Sequence, residues 1–288
     1  MEELLKIAQK AAQEAGAEIL RIYTDPSQDF GIEKKADNSP LTLADKAAHL
    51  CIMRYLQETD IPVLSEEGQH LPYEVRKTWK RLWVVDPLDG TKEFIKKNGE
   101  FTVNIALVED CSPVLGVIYI PVTGVMYYGI VGKGAWKMTL SNSTSKARTI
   151  EALPIDGATG VFRVATECGY GPAKGSNYPV ATTERGEGPF VVVASRSHMS
   201  PETEAYVEEI RRLHSNVQLI SSGSSIKICL VAEGAADAYP RYTPTMEWDT
   251  AAGDAIARAA GKQVLDVQTG NPLTYNKEDL HNPWFLVE

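Results

Sequence analysis

The sequence has few cysteines, no long apolar run and no extended basic stretch. No apolar segment approaches the roughly 20 residues that a bilayer-spanning helix needs, so we expect no transmembrane segment. The four cysteines are far apart and form no CxxC pair, and Cys51 and Cys229 lie in apolar helical contexts typical of buried free thiols. The first 23 residues predict a folded amphipathic helix and not a signal peptide. We therefore expect a cytoplasmic protein, with peripheral attachment to the inner membrane left open.

The chain is acidic, with 38 Asp and Glu against 29 Lys and Arg and a formal net charge of −9. Such a surface repels the phosphate backbone of DNA and RNA, so we expect no nucleic-acid polymer as a partner. A small phosphorylated substrate is compatible with this charge if metal ions screen it locally. With 43% hydrophobic residues in 288 positions, the composition is that of a globular protein with ample core.

The order of predicted elements favours two domains of average size. Residues 3–23 and 42–58 carry helical periodicity, and a meander of strands follows them, so residues 1–150 predict an α+β domain with a mainly antiparallel sheet. Residues 151–188 are rich in Gly, Pro, Ser and Thr and predict an irregular linker or insertion. Beyond them strands and helices alternate, so residues 151–288 predict an α/β domain.

The stretch LWVVDPLDGTKEF, residues 82–94, predicts a buried strand that runs into two carboxylates. Pro87 has no backbone donor, so we expect it to end the ladder that LWVV begins. Asp86, the Leu88 carbonyl and Asp89 could then converge on a single hard cation. Oxygen-only ligands, with no His or Cys nearby, favour Mg²⁺.

The end of the same stretch could serve an anion. Gly90 permits a sharp change of direction, and the amides near Gly90 and Thr91 would face an anion beside the cation. The alternative is ordinary turn chemistry, since Asp and Gly are standard turn formers. The hexapeptide alone does not decide between the two.

Three other segments place acids at the ends of strands or the starts of helices. Glu66 and Glu67 follow a strand in LSEEG, where like charges repel unless a cation or donors compensate, although a solvated loop explains them too. Asp249 and Asp45 each open a helix, where capping is a sufficient explanation. Together, however, these segments form a pattern that turn and cap chemistry alone does not explain.

Those motifs resemble a known superfamily. WVVDPLDGT, with SEE upstream and WDTAAGDAIARAAG downstream, resembles the lithium-sensitive, magnesium-dependent phosphatases that include inositol monophosphatase. KADNSPLTLADKAAH, GTKEFIKKNGEFTVNIAL, ASRSH and GSSIKICLVAEGAADAYPR are similar to the CysQ-type 3′(2′),5′-bisphosphate nucleotidases. The agreement covers nearly the whole chain. It implies a layered αβαβα sandwich of the inositol monophosphatase and fructose-1,6-bisphosphatase type, with the site between the halves.

The resemblance also implies roles for individual residues. It predicts two or three Mg²⁺ ions per site, held by Glu66, Asp86, the Leu88 carbonyl, Asp89 and Asp249. Thr91 and Asp45 match the pair that positions and deprotonates the attacking water, and Glu67 is similar to a residue that orients a water at the metal site. Gly90 and Thr91 would hold the phosphoryl group.

Further segments are similar to those that hold the nucleoside and its 5′-phosphate. The residues concerned are Ser195, His198, Gly223, Ser224 and Lys227. For His198 the alternative is a helix cap or a surface position, and for Lys227 it is a solvated helix face. Tyr239 and Trp248 could line the pocket or belong to the core.

The activity that the resemblance implies is hydrolysis of 3′-phosphoadenosine 5′-phosphate to AMP and phosphate by direct in-line attack of water. The expectation extends to 3′-phosphoadenosine 5′-phosphosulfate, and so to sulfate assimilation, and it includes lithium inhibition. The alternatives are an inositol phosphate phosphatase of the same superfamily and a nucleotide sensor without turnover. We expect a monomer or a homodimer.

Overall fold

The computed structural model describes residues 1–26, 30–34, 40–69, 71–140, 147–152, 188–195 and 199–288. Its α-helices in these ranges are α1 (Glu2–Tyr23), α2 (Leu43–Leu56), α3 (Tyr73–Arg76), α4 (Thr91–Ile95), α5 (Pro201–Leu213), α6 (Ile226–Ala232) and α7 (Glu247–Ala259), with a 3-10 turn at Gln57–Thr59. The strands are β1 (Glu33–Lys34), β2 (Pro40–Leu41), β3 (Val63–Ser65), β4 (Arg81–Asp89), β5 (Thr102–Glu109), β6 (Ser112–Ile120), β7 (Val125–Ile130), β8 (Gly134–Leu140), β9 (Ala147–Ala152), β10 (Phe190–Ser195), β11 (Val217–Ser222), β12 (Tyr239–Arg241), β13 (Val264–Asp266) and β14 (Phe285–Val287).

A seven-stranded sheet with the order β3-β4-β5-β6-β7-β8-β9 forms the largest layer. Strands β3 and β4 are parallel, and every later neighbour pair is antiparallel. Consecutive antiparallel strands need only short turns, which is why a meander of strands with Gly and Pro turns folds this way. The predicted pair of long helices followed by a mainly antiparallel sheet is confirmed.

Both faces of this sheet are covered, because side chains alternate between faces along each strand. In β4, Trp83 and Val85 pack with the alanine-rich faces of α1 and α2. Leu82 and Val84 point to the other side, where they share a core with residues of α6 and α7. The run of apolar residues in this strand is therefore explained by burial on two sides.

Helix α7 lies unusually close to the sheet because both surfaces are made of small residues. A Cβ at Gly116 on β6 would clash with the carbonyl oxygen of Ala252 on α7. A Cβ at Gly129 on β7 would lie 2.9 Å from the Cβ of Ala259. The start of α7 lies at the end of β4, with Asp249 close to Asp89.

A second sheet lies beyond α6 and α7. Strands β10 and β11 pair in parallel. Strand β14 pairs antiparallel with β12 on one side and with β13 on the other. A parallel bridge between Val192 and Ala238 joins the two groups. Helix α5 covers the outer face, where Tyr206 and Ile210 pack against Phe190 and Leu286. The order of layers is α1/α2, large sheet, α6/α7, second sheet, α5, which confirms the predicted αβαβα sandwich.

Two other predictions concern the division into domains and membrane-spanning segments. The division into residues 1–150 and 151–288 stays a prediction, and most of the predicted linker, residues 153–187, lies outside the described residues. None of the helices in the described ranges combines the length and the apolar composition that a membrane crossing requires.

Candidate metal centre and substrate pocket

The two aspartates of the DPLD motif lie on either side of a β-bulge. Asp86 pairs with Asn104 and Asp89 pairs with Thr102, so two residues of β4 oppose one residue of β5. The expectation that Pro87 ends the ladder was wrong, because the bulge accommodates the missing donor and the strand continues to Asp89. In a regular strand, residues three apart point to opposite faces. Because the bulge adds one residue to β4, Asp86 and Asp89 can point to the same face of the sheet.

The bulge and α7 bring three carboxylates together. Oxygen atoms of Asp86, Asp89 and Asp249 all lie within 4.8 Å of one another. Asp249 also accepts a hydrogen bond of 2.8 Å from the backbone N–H of Met246, so it caps α7 while it joins the cluster. One side chain therefore both caps a helix and belongs to the carboxylate cluster.

The electrostatics of this cluster call for a cation. Burial raises the pKa of Asp86 well above its ordinary value, and the charges of Glu66, Asp89 and Asp249 raise it further. Burial also raises the pKa of Asp249, followed by the charges of Asp89 and Glu66. A donor set made only of carboxylate oxygens matches hard divalent cations, which remove the repulsion by binding. The residues present thus fit a metal centre.

The paired glutamates separate in the structure. The Glu66 side chain shares a hydrogen bond with Asp86 and lines the adjacent cavity, while its backbone N–H donates to the Val85 carbonyl at 3.0 Å. Glu67 lies close enough to His49 to oppose the fall that burial causes in the pKa of that imidazole. The structure thus brings Glu66 to the cluster and places Glu67 beside helix α2.

Asp45 and Thr91, which the resemblance implies as a pair, lie within hydrogen-bonding distance of each other. Asp45 Oδ2 accepts hydrogen bonds from the Thr42 backbone N–H at 2.7 Å and from its hydroxyl at 2.5 Å, which caps α2. Asp45 Oδ1 faces the Thr91 hydroxyl at 3.3 Å. That hydroxyl also lies 3.4 Å from the Leu88 carbonyl oxygen, the predicted backbone ligand. One carboxylate again caps a helix with one oxygen while its other oxygen contacts a second candidate site residue.

A cavity of about 300 Å³ opens beside the carboxylates. Of the residues predicted for the site, those that line it are Glu66, Asp89, Gly90, Thr91, Ser195, Gly223, Ser224, Lys227 and Asp249. Tyr239 lines it too, whereas Trp248 belongs to the core. His198 lies outside the described residues.

The wall of this cavity depends on two loops that touch. A Cβ at Gly223 would lie 2.7 Å from the Glu100 carbonyl oxygen and 2.9 Å from Glu93 Cγ, so this position has no room for a side chain. Gly90 has φ +93°, a conformation that favours glycine, and its ideal Cβ lies 3.3 Å from Ser224 Cβ. The segment between β4 and β5 and the loop after β11 are therefore in close contact.

Lys227 is buried in the wall, which rules out the solvated helix face. Its Nζ donates to the Ser224 carbonyl and lies 5.4 Å from the centroid of the Tyr239 ring. Burial lowers its pKa to about 8, with Arg241 also lowering it and Asp89 opposing the shift. A buried cation at the edge of a cavity is a candidate partner for an anion.

Sequence reasoning missed Arg241, which lines the cavity with Lys227. Among the described side chains, Ser224 Oγ and Arg241 Nε are buried without a hydrogen-bond partner. Buried polar atoms are normally paired, so these two atoms at the cavity are candidate contacts for a ligand. Arg241 ends strand β12, and a charge at the end of a buried strand was the signal that could have identified it.

Ser225 and Asn104 were missed as well. Both are buried, and both hydrogen-bond to Asp89. Ser225 lies inside the GSSIK motif between predicted substrate contacts, and Asn104 lies in the middle of a core strand. No feature of the sequence alone separates these two polar residues from structural ones.

Comparisons with known proteins identify the family of this chain. The model of the inositol monophosphatase family matches residues 1–284. The chain is 45% identical over 279 residues to the 3′(2′),5′-bisphosphate nucleotidase CysQ of Escherichia coli K12, covering 96% of each protein. It superposes on the crystal structure of CysQ from Bacteroides thetaiotaomicron with a TM-score of 0.81 and 50% identity, covering 100% of this chain and 97% of that one. The suhB protein of Bartonella henselae shares the fold at 22% identity and a TM-score of 0.69, covering 99% and 93%.

Proposed function

This chain belongs to the inositol monophosphatase family, and from that premise we propose that it is a 3′(2′),5′-bisphosphate nucleotidase. The reaction is hydrolysis of the 3′-phosphate of 3′-phosphoadenosine 5′-phosphate, which yields AMP and phosphate. The name of its 45%-identical relative in Escherichia coli supports this activity. The 5′-phosphosulfate analogue is proposed as a second substrate because it carries the same 3′-phosphate.

The observation that carries this proposal is that one cavity is lined both by a group of carboxylates and by two cationic side chains. Asp89 and Asp249, with Glu66, are suited to cations that bind the phosphate to be removed. Lys227 and Arg241 line the same cavity and supply positive charge without a metal. A substrate with two phosphates matches both sets of groups.

We propose Mg²⁺ as the cofactor, because the donors are all oxygens. The residues that would hold it are Glu66, Asp86, the Leu88 carbonyl, Asp89 and Asp249. The chemistry that two or three such ions supply when bound is neutralisation of phosphoryl charge and acidification of the attacking water.

The chain's own groups position and deprotonate the water. Thr91 Oγ1, 3.3 Å from Asp45 Oδ1, can hold that water and pass its proton toward the carboxylate. The water oxygen forms the new bond to phosphorus while the bond to the 3′ oxygen breaks, and the 3′ oxygen regains a proton. Gly90 and Thr91 border the cavity and are proposed to contact the phosphoryl group, while Glu67 is proposed to orient water.

The retained 5′-phosphate is proposed to bind at Ser224, Lys227 and Arg241. Ser224 Oγ and Arg241 Nε lack partners in the described structure, and a phosphate oxygen would satisfy both. Ser195, Gly223 and Tyr239 line the same cavity and are proposed to contact the nucleoside.

Inositol phosphates are the second candidate substrate class, because the family takes its name from one. An inositol monophosphate lacks a second phosphate, so it would leave Ser224 Oγ and Arg241 Nε without a partner. Sites built to pair a polar group discriminate strongly against analogues that lack it. A sensor without turnover is the less favoured alternative, because the 3.3 Å between Thr91 Oγ1 and Asp45 Oδ1 is short enough to support the proposed proton transfer.

The test compares kcat/KM for 3′-phosphoadenosine 5′-phosphate and inositol 1-phosphate at one Mg²⁺ concentration. We expect the nucleotide to be preferred. A preference of tenfold or more for inositol 1-phosphate, equal to about 1.4 kcal/mol in transition-state binding, would overturn the nucleotide assignment. An Asp89→Asn sample prepared in parallel controls for contaminating phosphatases.

Several finer properties are part of the proposal. The protein is proposed to act in the cytoplasm as a monomer or homodimer and to be inhibited by Li⁺, a small cation suited to a carboxylate site. Sedimentation tests the oligomeric state, and a Li⁺ titration of phosphate release tests the inhibition.

A further inference from the structure

A chain of buried polar side chains leads from strand β5 to the metal centre. Thr102 Oγ1 donates to Asn104 Oδ1 at 2.9 Å, and Asn104 Nδ2 donates to Ser225 Oγ at 2.9 Å. Ser225 Oγ lies 2.7 Å from Asp89 Oδ2 and 2.8 Å from the Asp249 carbonyl oxygen. Relative exposure is 0% for Thr102, 1% for Asn104 and 3% for Ser225, so water does not compete for these bonds.

The donors and acceptors fix the direction of this chain. Asn104 Nδ2 also lies 3.4 Å from Asp89 Oδ2, and only the amide nitrogen can donate to a carboxylate. Its oxygen must then accept from Thr102. Ser225 accepts from Asn104 and has one proton, which it can donate to Asp89 or to the Asp249 carbonyl.

The hydroxyl of Ser225 therefore joins two segments that carry carboxylates of the cluster. Asp89 ends β4 and Asp249 opens α7, and Ser225 touches both. Because Ser225 and Asn104 both hold Asp89 Oδ2, the carboxylate cannot rotate freely and Oδ1 remains available as a ligand. Replacing a residue that hydrogen-bonds to a metal ligand typically weakens metal binding by about 10- to 100-fold.

We propose that Ser225, oriented by Asn104, is a positioning residue that holds Asp89 in register with Asp249 and so sets the affinity for divalent cations. The inference rests on the proposed function, because it assumes that the carboxylates bind metal. It adds a requirement beyond the metal ligands themselves. The Ser225 hydroxyl must be present for divalent cations to bind tightly.

The test measures Mn²⁺ binding without substrate, by electron paramagnetic resonance of the free ion, in full-length protein. The variants are Ser225→Ala, which removes the hydroxyl, and Ser225→Thr, which retains it. Ser222→Ala, at a buried serine on neighbouring strand β11, is the matched control. Melting curves in EDTA separate a general loss of stability from a loss of metal affinity.

We expect Ser225→Ala to weaken Mn²⁺ binding about 10- to 100-fold, with Ser225→Thr recovering most of the loss and Ser222→Ala near wild type. In phosphate release, the Mg²⁺ concentration for half-maximal rate should rise while kcat at saturating Mg²⁺ stays within a few-fold. Mn²⁺ affinity within twofold of wild type in Ser225→Ala, with Asp89→Asn strongly weakened, would overturn this inference and leave the proposed function standing. Unchanged affinity in Asp89→Asn would remove the metal centre itself.

Discussion

Removing the charge of Lys227 should change which substrate the enzyme prefers. Lys227→Met keeps a long unbranched side chain in the buried position and deletes the ammonium group. If Lys227 binds the 5′-phosphate, the variant loses an interaction with 3′-phosphoadenosine 5′-phosphate but none with 3′-AMP, which lacks that phosphate. The two substrates therefore form a matched pair.

The size of the effect follows from burial. A hydrogen bond to a charged group contributes about 1.5–3 kcal/mol when it is protected from water. At 1.36 kcal/mol per tenfold, kcat/KM for the bisphosphate should fall about 10- to 150-fold, while kcat/KM for 3′-AMP should change less than about threefold. The ratio of the two values isolates the contact from any general effect on the metal centre.

The pH dependence of the ratio of the two kcat/KM values gives a second test of the Lys227 contact. Burial holds the pKa of Lys227 at about 8, so the free protein carries this charge at pH 7 and has mostly lost it at pH 9. Because kcat/KM reports ionisations of the free enzyme, the wild-type preference for the bisphosphate should decline as pH rises through about 8. The preference of Lys227→Met should be flat across that range. Steady-state phosphate release at pH 6.5–9.5 measures both.

An equal fall in kcat/KM for the two substrates in Lys227→Met would refute this reasoning. It would mean that the lysine supports the fold of the cavity and does not contact the second phosphate.

Three further outcomes follow from the geometry. Asp45→Asn removes the proton acceptor, so kcat should fall about 10²- to 10⁴-fold with Mn²⁺ binding unchanged; a defect confined to metal affinity would contradict this role. Gly223→Ala places a Cβ 2.7 Å from the Glu100 carbonyl oxygen, and the free energy of unfolding in urea should fall by about 1–3 kcal/mol; an unchanged midpoint would show that the loop can relax. Burial first, and neighbouring carboxylates second, raise the pKa of Asp86 and Asp249 above the ordinary 3.8. The folded state then binds these protons more tightly than the unfolded state, so metal-free protein should lose stability as pH rises above 3.8 through the raised pKa values. Mg²⁺ should consequently raise Tm more at pH 8 than at pH 5. If scanning calorimetry gave the same Mg²⁺-induced rise in Tm at both pH values, the raised pKa values of these carboxylates would be contradicted.

The acidic motifs were predictable because their spacing is local. The aspartates of DPLD are three residues apart, and strand and helix signals surround each of the other acids. What spacing could not supply is the bulge at Pro87 and Leu88, because a bulge is defined by the partner strand. The expectation that Pro87 ends the strand therefore failed, although Asp86 and Asp89 on either side of it do lie close together.

Two kinds of information were absent from the sequence. Asp45 and Asp249 had sufficient explanations as helix caps, and only the structure shows that Asp45 also contacts Thr91 and that Asp249 also lies beside Asp86 and Asp89. Arg241 and Ser225 reach the cavity through contacts between elements distant in sequence, which no local pattern encodes.

The most direct test of the central claim is phosphate release from 3′-phosphoadenosine 5′-phosphate by wild type and Asp89→Asn across a Mg²⁺ titration. Wild type should release phosphate only with Mg²⁺, stop in EDTA and resume when Mg²⁺ is restored, and Asp89→Asn should lose about 10²-fold or more at every concentration. Release at the wild-type rate from Asp89→Asn, or from wild type in EDTA, would contradict the account.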